Sequence, residues 1–145
     1  MEGSRIMSVD ESPLPDDVAS SPFPYTCAQA RAEAGAAVMP LCESLPHHQA
    51  RRLYEDALLV ASELVANALR HGGGITRFSA CVHDDALVIH VSDRSRAEPR
   101  RLPRDPAVPG GFGWLMVENL ARTVDVEVSS DGKTIKAVLD GVSYS

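Results

Sequence analysis

Residues 57–74 read ALLVASELVANALRHGGG, and this stretch decides the fold. It is typical of the C-terminal half of a helix that ends at a run of three glycines. Apolar residues recur at helical spacing through this stretch and just before it, at Leu53, Ala57, Ala61, Leu64, Val65 and Ala68. The spacing predicts one apolar stripe along a helix, which is the side that a folded domain would bury.

A row of polar residues shares the same helix. Glu63, Asn67 and His71 are spaced i, i+4 and i+8, so successive members drift by only about 40° and climb roughly 12 Å in all. A carboxylate can act as a base or orient a nucleophile, an amide oxygen can bind Mg²⁺, and Arg70 with His71 can meet phosphate charge. A polar edge of an ordinary amphipathic helix explains this row equally well when the helix is taken alone.

Composition limits the classes of protein that need to be considered. The 145 residues are 44% hydrophobic, as in a single globular domain, and no apolar run is long enough to span a membrane. The N-terminus lacks the order of a secretory signal, which favours a cytoplasmic protein. The formal charge of −6 argues against general binding of nucleic acid. Three widely spaced cysteines predict free thiols.

The rest of the chain alternates between helical and strand patterns. Residues 1–24 are rich in Ser, Pro and Asp and predict a disordered leader. Helices are expected over residues 26–44, with Thr26 as N-cap, and over 47–71. Apolar alternation then predicts two strands at 75–82 and 86–91, which are joined by a polar turn.

The C-terminal third begins with an arginine-rich, proline-containing segment over residues 92–109, which suggests either a mobile lid near an anion or a solvated loop. Gly110-Gly111-Phe112-Gly113 then opens a helix over 114–121, an arrangement that can bind phosphate. A closing hairpin, 123–129 and 133–140, follows. The order predicts an α+β fold, a two-layer α/β sandwich with a mainly antiparallel sheet and helices on one face. Neither GxxxxGK[ST] nor GxGxxG occurs.

This order of elements, together with residues 62–72 (SELVANALRHG), resembles the GHKL ATPase superfamily, and within it the anti-sigma-factor serine/threonine kinase branch (RsbW-like). The resemblance implies a histidine-kinase-like ATP-binding domain over residues 25–142. It also implies roles for individual side chains. Asn67 would bind Mg²⁺, Glu63 would be the catalytic base or orienting carboxylate, and Arg70 and His71 would lie beside phosphate. Asp93 would read the adenine amino group, Gly111 and Gly113 would cradle phosphate, and Thr134 would lie near adenine.

The resemblance implies ATP and Mg²⁺ as cofactors, and a sigma factor and an anti-anti-sigma (STAS-type) protein as partners. The resemblance leaves open whether the protein also forms a homodimer. The family's first glycine motif reads D-x-G-x-G, whereas Ser95 and Ala97 stand here in place of both glycines. Two hypotheses follow: a regulatory protein kinase that phosphorylates the anti-anti-sigma partner and sequesters the sigma factor, and a non-catalytic or weakly nucleotide-binding module that binds a regulatory protein.

Overall fold

The structure is a computed structural model that describes residues 25–97 and 112–144. Over these ranges the helices are α1 (Cys27–Glu43), α2 (His47–His71) and α3 (Phe112–Leu120), and the strands are β1 (Ile75–His83), β2 (Ala86–Asp93), β3 (Thr123–Val128) and β4 (Lys133–Asp140), followed by a 3₁₀ turn, Gly141–Tyr144. The predicted leader, residues 1–24, lies outside the described residues, as do Gly111 and most of the predicted lid.

The four strands form one sheet in the order β1-β2-β4-β3, and every neighbouring pair is antiparallel. Period-two alternation places one set of side chains on the helix side of the sheet and the other set on the outer side. Leu87, Ile89 and Val91 of β2 are fully or almost fully buried on the helix side. The α+β class and the two-layer sandwich predicted from the sequence are confirmed.

The hydrophobic core lies between the sheet and the helices. Leu53, Leu64 and Val65 of α2 are completely buried and belong to the same cluster as the inward residues of β2 and β4. Trp114 of α3 is 5% exposed and joins this cluster. Helix α2 therefore forms the centre of the helical layer, as its apolar stripe predicted.

The start of α1 is fixed by local hydrogen bonds. Thr26 Oγ1 accepts from the backbone N–H of Gln29 at 3.0 Å, and Gln29 Oε1 accepts from the Thr26 N–H at 2.8 Å, which completes a capping box. This confirms Thr26 as the N-cap. The helix continues through Pro40 to Glu43.

The outer side of the sheet is polar. His90 and Ser92 of β2 lie there beside Thr134 and Lys136 of β4. His90 is half-buried, and burial, together with the charges of Lys136 and Arg77, lowers its pKa. Among the helices that the structure describes, none is both long and apolar enough to cross a membrane.

Candidate functional site

The candidate site forms where the end of α2 meets the end of β2. The Gly72 N–H donates to Ala68 O at 2.9 Å, which closes the last turn of α2, and Gly72 O accepts from the Arg94 N–H at 2.9 Å. Gly73 and Gly74 then adopt φ values of 72° and 109°, a region that favours glycine, and the chain turns into β1. These contacts bring the C-terminal end of α2, at Gly72, next to the strand end that carries Asp93.

Glu63 faces the first turn of α3. A Cβ atom built on Gly113 would overlap Glu63 Oε1, so a larger residue at this position would have to displace the carboxylate. The N-terminal turn of a helix exposes backbone N–H groups and the positive end of the helix dipole. The structure thus brings Glu63 and Gly113 together, although they are 50 residues apart in the sequence.

Asn67 lies one turn after Glu63 and is also partly buried. Its Oδ1 accepts from Arg70 Nη2 at 3.0 Å, while Arg70 and His71 are both exposed in the last turn of α2. An amide oxygen is a ligand type that Mg²⁺ accepts, but a metal ion at Asn67 would have to replace the Arg70 guanidinium that now donates to Oδ1. Over the described ranges no group of three His, Cys, Asp or Glu side chains could hold a metal. Mg²⁺ at Asn67 would therefore rely on phosphate oxygens and water for its other ligands.

Asp93 is buried at the end of β2, and its carboxylate has an ionic partner that the sequence reasoning missed. Lys133 Nζ lies 3.1 Å from Oδ1 and 3.0 Å from Oδ2, and the Ser95 N–H donates to Oδ1 at 2.9 Å. Lys133 is the first residue of β4 and pairs directly with Asp93 in the antiparallel ladder. Pairing 86–93 with 133–140 end to end would have predicted this contact.

Thr134 lies on the other side of the sheet from Asp93. Its Oγ1 is 2.7 Å from Ser92 Oγ, and both hydroxyls are on the outer face. The structure therefore does not bring Thr134 to the Asp93 carboxylate. A contact between Thr134 and adenine remains a prediction from the resemblance, and the register does not support it.

The described start of the arginine-rich segment folds back onto two turns. Arg94 Nη1 donates to Gly73 O at 3.3 Å, and Arg96 Nε donates to Ser129 O at 2.8 Å. Ser95 Oγ accepts from the Ala97 N–H at 3.1 Å. The two residues that replace the expected glycines thus form a local turn directly after Asp93.

Comparison with known families assigns the fold. Residues 23–139 match the family model of the histidine kinase-like ATPase domain. The chain belongs to this family, within the GHKL superfamily, and its membership implies an ATP-binding regulatory domain. No curated protein sequence matches the chain.

One solved structure supports the same fold. The chain is similar to the histidine kinase domain of a blue-light activated histidine kinase from Erythrobacter litoralis, with a TM-score of 0.51, 17% identity, and coverage of 77% of this chain and 67% of that domain. A second structure, of the blue-light activated histidine kinase from the same organism, has a TM-score of 0.44 and 18% identity, and the match covers 74% of this chain and 41% of that one.

Proposed function

We propose that this protein is an ATP- and Mg²⁺-binding regulatory serine/threonine protein kinase of the anti-sigma-factor type. It would act in the cytoplasm, phosphorylate an anti-anti-sigma partner of the STAS type and sequester a sigma factor. The observation that carries the proposal is the row of Glu63 and Asn67 on α2, whose carboxylate abuts Gly113 at the start of α3. That row lies in a chain of the histidine kinase-like ATPase family.

The residues of this row would have different roles in phosphoryl transfer. Asn67 would hold Mg²⁺ through its amide oxygen, and the N-terminal N–H groups of α3 would face phosphate oxygens. When bound, ATP would supply the phosphoryl group and Mg²⁺ would neutralise its charge. Glu63, one turn along the same face, would accept the proton of a substrate hydroxyl or hold that hydroxyl in line. Such positioning and charge neutralisation account for most of the catalysis in this class of reaction.

A second candidate function is a non-catalytic or weakly nucleotide-binding module that binds a regulatory protein on the same fold. Two observations favour it. Ser95 and Ala97 occupy the positions of the expected glycines, and Lys133 already engages the Asp93 carboxylate. Both features would weaken recognition of the base without changing the fold.

The test separates nucleotide binding from catalysis. ATP affinity is first measured by equilibrium titration with and without Mg²⁺, and we expect binding that is stronger with Mg²⁺. Phosphate transfer to the co-purified anti-anti-sigma partner is then compared for wild type, Glu63→Gln and Glu55→Gln. Glu55 is an exposed residue two turns earlier on the same helix, within ion-pair distance of Arg51, and serves as the matched control.

Loss of a general base typically lowers the rate by about 10²–10⁴-fold, so Glu63→Gln should lose that much activity. Its ATP affinity should change little, and Glu55→Gln should resemble wild type. A wild-type protein that binds its partner and transfers no phosphate, with a silent Glu63→Gln variant, would exclude the kinase and leave the binding module.

A further inference from the structure

The strand ends that flank the candidate site carry a buried ion pair. Asp93 and Lys133 are opposite each other in the β2–β4 ladder, and both side chains point toward the helices. The side chain of Asp93 is 3% exposed and that of Lys133 is 6% exposed. Charged side chains are rarely buried this completely unless they are paired, so each of the two depends on the other.

The hydrogen-bonding capacity of the Asp93 carboxylate is almost fully used. Oδ1 accepts from both Lys133 Nζ and the Ser95 N–H. Oδ2 lies 3.0 Å from Lys133 Nζ, and a Cβ atom on Gly72 would lie 2.6 Å from Oδ2, so the end of α2 packs against that oxygen. An amino group of a nucleobase that approaches this carboxylate therefore competes with the Lys133 ammonium for its acceptor sites.

We propose that Lys133 is an affinity-determining residue that competes with the nucleobase for Asp93. This inference rests on the proposed nucleotide-binding function and on Asp93 as the base reader. The base binds only when Lys133 has left the carboxylate, so the measured affinity is the intrinsic affinity reduced by the fraction of molecules in which the pair is open. The side chain that stabilises the strand ends thus keeps the affinity for ATP low.

The test is whether removing the lysine charge raises or lowers the affinity for ATP. Lys133→Met keeps most of the side-chain length and removes the competing donor. Since a hydrogen bond to a charged group is among the stronger ones, ATP should bind roughly tenfold tighter or more in this variant. Binding of inorganic tripolyphosphate, which has no base, should not change. Lys136→Met is the matched control, because Lys136 is exposed on the outer side of the same strand.

A second variant guards against poor folding. Lys133→Met leaves a buried carboxylate without its cation, which lowers stability, whereas Lys133→Thr replaces the ammonium with a small polar side chain and leaves space for a base. Both variants should bind ATP more tightly than wild type, and Asp93→Asn in either background should abolish the gain. Circular dichroism of each variant establishes that it is folded before titration.

The possible results distinguish a failure of the Lys133 inference from a failure of the proposed nucleotide-binding function. If ATP binds to wild type and variants with equal affinity, or more weakly to the variants, Lys133 is not a competitor and the inference alone is overturned. If neither ATP nor tripolyphosphate binds to any folded variant or to wild type, the nucleotide-binding function fails and the inference fails with it.

Discussion

Gly72 is the position where one methyl group should disturb both the fold and the site. A Cβ atom at this position would lie 2.5 Å from Cγ, 2.6 Å from Oδ2 and 2.7 Å from Cβ of Asp93. The φ of Gly72 is −98°, which other residues adopt, so the cost of Gly72→Ala is steric and not conformational. Asp93 is buried and held by Lys133 and Ser95, so moving its side chain away from the added methyl group would break these contacts.

The magnitude follows from two known costs. Overpacking a well-packed site costs about 1–3 kcal/mol, and removing one partner of a buried ion pair costs about 3–5 kcal/mol. Gly72→Ala overpacks the site and disturbs the Asp93–Lys133 ion pair without removing either partner. We therefore expect a loss of about 2–4 kcal/mol in the free energy of unfolding. The assay is urea denaturation followed by circular dichroism, where the midpoint should fall without a change in slope.

A double-mutant cycle with Asp93→Ala provides the control. Asp93→Ala removes two of the three clashing atoms and leaves Cβ, so Gly72→Ala should cost less in that background, and the two substitutions should show a coupling energy. A wild-type midpoint for Gly72→Ala, or strict additivity with Asp93→Ala, would refute the close packing of helix end and strand end described above.

Three further predictions address the metal, the outer sheet face and the core. Asn67→Ala should remove the Mg²⁺-dependent part of ATP affinity, as measured by titration with and without Mg²⁺, and an unchanged Mg²⁺ dependence would contradict a role for Asn67 as ligand. His90 has a folded pKa below its ordinary value of 6.5, so the unfolded state takes up the proton first as the pH falls. Stability should therefore be lost from about pH 6.5 down to the folded pKa, and His90→Gln should reduce that loss in melts across this range. Leu64→Ala, at a completely buried position, should cost about 2–5 kcal/mol in denaturant titrations, whereas the same change at Leu69, which is 42% exposed, should cost far less.

The secondary structure was largely predictable because it depends on relations between near neighbours. The helical spacing of Leu53 to Ala68 identified α2, and the alternation of Leu87, Ile89 and Val91 identified β2 and its buried side. Thr26 and the glycines at 72–74 marked a helix start and a helix end through local hydrogen bonds and backbone angles. Each of these signals acts over about four residues, so a single sequence contains it.

The candidate site was only partly predictable because it joins distant residues. The polar row of Glu63 and Asn67 follows from helical spacing, but the approach of Glu63 to Gly113 depends on how α3 packs against α2. The pairing of Asp93 with Lys133 spans 40 residues and depends on the strand register. A shift of one residue along a strand moves a side chain to the other side of the sheet. For that reason the resemblance could imply Thr134 near the base, which stays a prediction, but only the tertiary structure places Lys133 beside Asp93 and turns Thr134 toward Ser92 on the opposite face.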